Sequence, residues 1–322
     1  MRSIIPLLLA LTAASAAAAD WLRPATAADP PAWGLKTGLR FAIHPAGFTP
    51  GDGGPRGLIR LGYPNLPDGS HDLINFIAVE PVVGGKKGYS ELEKSSVDRR
   101  NGKVFTADSN KTAITTLEAG VEELSVEVAV EKFDNGAHVR LRLSQRSDAP
   151  DELRITVSAE PDSAPIESCV ITATMGNKAR TRLLYLADGA VSSLTLYPDL
   201  RSSDFAPHSV FGIERLPRTS SGDVLVAIAT DEDQPEKVAT HDQASFWDFK
   251  GSKLTQYWRK PAKEAGPGLQ CAVNGRFTYW MSKQPIPGGV AFENFELREP
   301  FKPDQSVIFG ISRQAPPLLL KP

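Results

Sequence analysis

Apolar and polar side chains alternate with a period of two along most of this chain, which constrains it to strands. In "LSVEVAV", residues 124–130, Leu124, Val126, Val128 and Val130 share one face, and Ser125, Glu127 and Ala129 take the other. "HVRLRLSQR" sets Val139, Leu141 and Leu143 against His138, Arg140 and Arg142, and "LRITVSAE" repeats the pattern at Leu153, Ile155 and Val157. Between the first two runs, Asn135-Gly136 is a strong short hairpin signal. Strands with one wet face belong to antiparallel sheets. Further strand candidates include "GLRFAIH", "GLIRLGY", "LINFIAVE", "SCVITATM", "TRLLYLA", "VSSLTLY", "DVLVAIAT", "KLTQYWRK", "GRFTYWM", "VAFENFEL" and "SVIFGIS", punctuated by Gly, Pro, Asn and Asp. Sustained helical periodicity and fixed-period repeats are both missing, which disfavours propellers and β-helices. The expected fold is all-β: a large antiparallel β-sandwich with very little helix.

The N-terminus carries an export signal. Arg2 precedes the apolar run Ile4 to Leu11, and Ala17 and Ala19 sit at the −3 and −1 positions of a small-residue cleavage site. The run is shorter than the about 20 residues a bilayer span needs, so no membrane anchor is expected. The protein is therefore expected to be secreted or periplasmic. Removing 19 of 322 residues leaves 303, enough for a large core. Within them, 20–34 reads as a flexible, Pro-rich leader containing "RPATAADPPAW", 35–313 as a single sandwich domain, and 314–322 as a loose tail. The net charge of −2 becomes −3 without Arg2, which gives no electrostatic case for nucleic acid as a partner.

Cys169 and Cys271 are the only cysteines. Export permits a disulfide, and closing their 102-residue separation would stabilise by about 4–5 kcal/mol on the loop-entropy argument. The alternative is two separately buried thiols. No cysteine or histidine spacing matches a zinc site, and no metal or cofactor is expected. "TDEDQPE", 230–236, lacks the spacing of a calcium loop and reads as a solvated turn. Neither a phosphate-cradling Gly-rich motif nor a G-x-S-x-G elbow is present.

The candidate site residues come from strand ends and loops. Arg40 and His44 lie four apart and share a strand face beside the loop "AGFTPGDGGPRG", a placement that suits an anionic or polyhydroxyl ligand. Arg60 lies on the polar side of "LIRLGY". Glu80 closes "LINFIAVE", whose two faces are both largely apolar, so the strand is expected to be central with the carboxylate at its rim. Burial there raises a carboxylate pKa and suits it to proton transfer. The following "GGKKGYSELEKSSVDRRNGK" offers Tyr89, Arg99 and Arg100, and arginine matches a uronate carboxylate bidentately. "SFWDFKGSKLTQYWRK" and "NGRFTYWMSK" concentrate aromatics, of which Trp258, beside Arg259 and Lys260, is a candidate stacking platform. His208, in "FAPHSVFG", is placed on a loop. For each of these, an ordinary solvated or core role is the alternative.

The closing segment "GGVAFENFELREPFKPDQSVIFGIS" resembles the end of a galactose-mutarotase-like β-supersandwich, with Glu293 on the carboxylate-bearing strand and "KPDQ" in the turn before the last strand. The aldose-epimerase pattern "NHxYFNL" is absent, so the resemblance does not extend to simple mutarotation. What it implies is a concave sheet facing carbohydrate. The resulting expectation is an exported protein that binds or acts on an oligo- or polysaccharide. As an enzyme it would transfer a proton at a sugar carbon, lyase- or epimerase-like, with Glu80 or Glu293 as base, His44 as acid or partner base, and Arg40 or Arg60 stabilising charge. The alternatives are a non-catalytic glycan-binding or accessory module and an exported structural or interaction protein. Intact-mass measurement of exported material should give a chain beginning at Asp20 or a near neighbour; retention of residues 1–19 would refute the cleavage site.

Overall fold

The computed structural model describes residues 18–26, 29–43, 59–94, 111–174, 180–234, 251–279 and 282–320. Two antiparallel sheets enclose the core. One has ten strands: β1 (Trp21–Leu22), β2 (Ala32–Leu35), β3 (Arg40–Ile43), β4 (Ile59–Tyr63), β5 (Asp72–Val83), β11 (Ser168–Thr174), β18 (Ala291–Pro300), β17 (Gln270–Arg276) and β14 (Ser209–Gly212) in spatial order, with β6 (Lys86–Lys87) paired to β5. The other has nine: β13 (Gly189–Ser192), β12 (Thr181–Leu186), β15 (Val224–Thr230), β16 (Thr255–Lys260), β19 (Gln305–Ser312), β10 (Glu152–Ala159), β9 (Val139–Arg146), β8 (Glu122–Ala129) and β7 (Lys111–Thr116). Among the described residues, helix is confined to single turns such as α1 (Ser193–Leu196) and α2 (Pro316–Leu319). The all-β sandwich expected from the alternation is the fold observed.

The apolar faces read from the sequence point inward. Leu124, Val126 and Val128 of β8, Val139, Leu141 and Leu143 of β9, and Leu153, Ile155 and Val157 of β10 all lie in one core with Ile77, Val79, Ile171, Phe295 and Leu297 of the facing sheet. Three polar bridges cross that core from β16. Gln256 Oε1 accepts from Asn75 Nδ2 at 2.7 Å, Trp258 Nε1 donates to Phe295 O at 3.0 Å, and Lys260 Nζ meets the Glu299 carboxylate and Ser306 O. Lys260 and Glu299 are both buried. A buried ion pair is weak evidence of net stability, yet it strongly resists loss of one partner, because the other is left charged and unpaired.

Several local readings differ from the structure. The segment 20–34 contributes β1 and β2, because Trp33 is too large to leave in water: it is buried, stacked on Phe41 with ring centroids 5.7 Å apart. Trp21 Nε1 likewise donates to Glu122 Oε2 at 2.7 Å. At the other end, Leu319 and Leu320 of the tail pack against Leu225, Ala227 and Tyr257. "VSSLTLY" is not one strand but β13 followed by α1, where Ser192 Oγ accepts from Leu194 N and caps the turn. Cys169 pairs with Glu299 and Cys271 with Leu297, so β18 lies between them. Two inter-strand steps separate the cysteines by about 10 Å, beyond disulfide reach. They are the two buried thiols of the alternative reading, and burial raises both pKa values.

The Lys260–Glu299 bridge gives a stability prediction. Glu299→Leu alone should cost about 3–5 kcal/mol in chemical denaturation, and adding Lys260→Met should recover most of it. Independent, additive losses would show that the two charges do not depend on each other.

Candidate functional site

The turn Gly84-Gly85 builds the site. Both glycines have positive φ, 56° and 72°, the geometry of a two-residue type I′ hairpin that most side chains resist. The turn folds β6 back so that Lys87 pairs with Val82. Cross-strand partners share a face, and so do residues two apart on a strand, which brings Lys87 over Glu80. Their ion pair measures 2.7 Å. The tip of the β8–β9 hairpin braces this turn: Asn135 Nδ2 donates to Pro81 O and Lys86 O, each at 2.9 Å. Gly88 packs so closely on Phe133 that a Cβ there would come within 2.7 Å of the ring.

Glu80 is therefore not at the strand end. β5 runs on to Val83, and Pro81 is tolerated because its carbonyl faces Gly88 and Asn135, so its missing N–H lies away from the ladder to β11. Ile77 and Val79 face the core, so Glu80 faces outward, on the side of the sheet turned away from the sandwich interior. On that same side Thr172 of β11 donates to Glu80 Oε2 at 2.8 Å. Register continues the row, with Thr172 opposite both Ala78 and Glu296. Glu296 of β18 accepts from Arg298 Nε at 2.8 Å, lies 2.9 Å from His208 Nε2 and 3.9 Å from Lys87 Nζ. One connected network thus joins Thr172, Glu80, Lys87, Glu296, His208 and Arg298.

Its depth profile is uneven. The side chains of Glu80 and Glu296 are 5% and 2% exposed, whereas those of Lys87, Arg298 and His208 are 23%, 24% and 32% exposed. The acids form a floor and the basic groups reach water. Burial pushes Glu80 above the ordinary carboxylate value; Lys87 opposes this and Glu296 adds to it. Burial also favours neutral Glu296, but the His208 hydrogen bond and the charges of Lys87, His208 and Arg298 outweigh it and bring the carboxyl down to about 2. For Lys87, burial is outweighed by the Glu80 and Glu296 carboxylates, which hold it above the ordinary lysine value and protonated. Beside an ionised Glu296, His208 Nε2 carries the proton, which leaves Nδ1 as the basic nitrogen.

The sequence candidates scatter around this network. Tyr89, 38% exposed, lies beneath Lys87 with its ring centre 5.7 Å from Nζ. Strands β3, β4 and β5 do pair in order, but their polar residues are staggered. Arg60 pairs with Phe76, four residues or roughly 13 Å along β5 from Glu80. Arg40 is opposite Gly62, farther still, and donates to Lys36 O near the sheet edge. Glu293 is buried and interacts electrostatically with Arg276, three residues before Glu296. Trp258 is wholly enclosed, edge-on to Phe309 at 5.0 Å, so it is a core residue and not a stacking platform. His44, Arg99 and Arg100, with Trp247 and Trp280, lie outside the described residues. Lys87, Thr172, Glu296 and Arg298 were not singled out from sequence. The signal was there for Glu296 and Arg298, which alternate with Phe295, Leu297 and Glu299 in "FELRE".

A second charged feature lies on the nine-stranded sheet, a depression of about 290 Å³ lined by residues including Glu123, Arg146, Glu152, Arg154 and Arg259. Its charges are satisfied by one another or by neighbours: Arg146 by Asp148, Arg259 by Glu152 and Asp223, Arg142 by Glu123, Arg154 by Ser306. Asp231 and Glu232 of the acidic 230–236 run are bound to Arg182, at 2.8 and 2.9 Å.

The low pKa of Glu296 makes it a source of stability above its unfolded value of 4.5, lost as pH falls towards about 2. Glu296→Gln should therefore be less stable than wild type at neutral pH by about 3 kcal/mol, with the gap closing between those two pH values in denaturation titrations. A gap independent of pH would place the loss in packing alone. In comparison with known proteins, no protein-family model and no curated protein matches this chain.

Proposed function

We propose that this is an exported carbohydrate-active protein whose ligand lies on the outward face of the ten-stranded sheet. The observation that carries the reading is the His208–Glu296 pair flanked by the solvent-reaching cations of Lys87 and Arg298. Glu296 holds the imidazole in one tautomer and one orientation, the role a buried carboxylate plays behind a general base. His208 Nδ1 takes the proton from the carbon next to the sugar carboxylate, and the Arg298 and Lys87 charges stabilise the anion that develops. The anion then either breaks the neighbouring C–O bond, the departing oxygen taking the proton back from the imidazolium and leaving an unsaturated sugar, or regains a proton from water on its opposite face to give the epimer. Glu80 and Thr172 position Lys87 from below. Cations above a buried acidic floor favour a sugar bearing a carboxylate, and the chemistry is that of a uronate lyase or epimerase. The N-terminal apolar run with Ala17 and Ala19 supports export, and the resemblance of the closing segment to galactose-mutarotase-like proteins points to the same ligand class.

A non-catalytic glycan-binding role is favoured by one observation: the charges of the network are already paired among themselves, so it is stable without proton transfer. Turnover separates the two readings. With a panel of neutral and uronate-containing glycans, wild type should act on a uronate polymer, read as ultraviolet absorbance of an unsaturated product or as epimer formation by NMR. His208→Ala should lower the rate by about 10²–10⁴ and, because it removes a hydrogen bond from the buried Glu296 carboxylate, lower stability by about 1–3 kcal/mol with the folded β spectrum retained in circular dichroism. Binding without turnover, unaffected by His208→Ala, would leave the binding role; no binding of any glycan would refute both.

A further inference from the structure

We infer that Phe205 forms a second sugar subsite, an aromatic platform set off from the His208–Glu296 pair along strands β17 and β18. This rests on the carbohydrate reading above. His208 and Phe205 belong to one loop, pinned at two points. At one end His208 bonds Glu296, which stands opposite Ala272 of β17. At the other, Ala206 N donates to Gly275 O at 2.8 Å. Ala272 and Gly275 are three residues apart, so the pins are roughly 10 Å apart along the strand, more than one pyranose ring covers.

The phenyl ring is exposed and yet held. Phe205 is 43% exposed, and the Arg276 guanidinium lies 4.8 Å from its ring centre. Arg276 is itself buried, its Nε donating to Thr278 O at 3.2 Å, and it interacts with the buried Glu293 carboxylate. A buried cation beneath the ring fixes its tilt before any ligand arrives, which lowers the ordering cost of binding. A fixed, solvent-facing aromatic ring is suited to the C–H face of a sugar. Asp204, exposed and next in sequence, interacts with the Arg276 beneath the ring and so places a polar group beside it for the hydroxyls. Glu293 thus contributes to the site by holding Arg276, and its role is positioning.

The probe is a length series of oligogalacturonides, from the monosaccharide upward, titrated calorimetrically against wild type, Phe205→Ala and Phe205→Trp. Phe205→Ala should weaken oligomers long enough to span both positions by roughly three- to tenfold and leave the monosaccharide unchanged. Phe205→Trp should restore the length dependence. Equal losses at every length would mean that Phe205 acts only through the loop that carries His208, and no loss at any length would mean that it has no contact; either overturns the subsite while leaving the central site intact. A wild-type protein that binds no member of the series would overturn both.

Discussion

The Lys260–Glu299 bridge inside the sandwich is the interaction on which the outward site depends. A charged pair out of water has no tolerance for mispairing, so it fixes which face of β18 looks inward. Phe295 and Leu297 follow Glu299 into the core, and period two then compels Glu296 and Arg298 to face away from it. A slip of one residue would bury Arg298 among apolar side chains and expose Phe295 and Leu297. The Trp258 indole bond to Phe295 O works to the same end, two residues before Lys260 on β16 and four before Glu299 on β18. Core polarity here specifies the orientation of the site.

Burial then does to two carboxylates what composition could not. Glu80 and Glu296 are chemically alike and lie on the same sheet face, yet one is pushed up and the other brought down to about 2. The difference is the number of cationic partners. Glu80 has Lys87 and the neutral Thr172 hydroxyl, whereas Glu296 collects His208, Arg298 and a share of Lys87. In a low-dielectric floor each added cationic or hydrogen-bonding partner counts heavily, so the partners decide the direction of each shift.

The strands were legible because alternation is a local property: each of Leu124–Val130, Val139–Leu143 and Leu153–Val157 reports its own inward face. What eluded sequence reading was whatever needed a partner. Lys87 becomes a site residue only once Gly84-Gly85 folds β6 onto β5, and Glu296 only once β18 is flanked by β11 and β17. "TQYWRK" misled for a different reason. Its inward residues are Gln256, Trp258 and Lys260 and its outward ones Tyr257 and Arg259, so polarity does not report direction there. The polar members are inward because each meets a partner across the core, a non-local fact. Grouping Arg40, Arg60 and Glu80 failed on stagger: pairing order was right, but side chains share a patch only when they share a row.

The two outward faces of the sandwich show why charge density alone does not locate chemistry. On the nine-stranded sheet, Arg146 and Asp148, or Arg142 and Glu123, are pairs in which the arginine is about half exposed, and water screens them from each other and from any ligand. Such pairs solubilise a strand face. On the ten-stranded sheet the acids are beneath and the basic groups above, so the attraction holding Lys87, Arg298 and His208 is barely screened, while their outer surfaces still meet solvent. The donors on that face are thus held in fixed positions while remaining accessible. Layering of charge by depth, more than its amount, is what distinguishes the two faces of this protein.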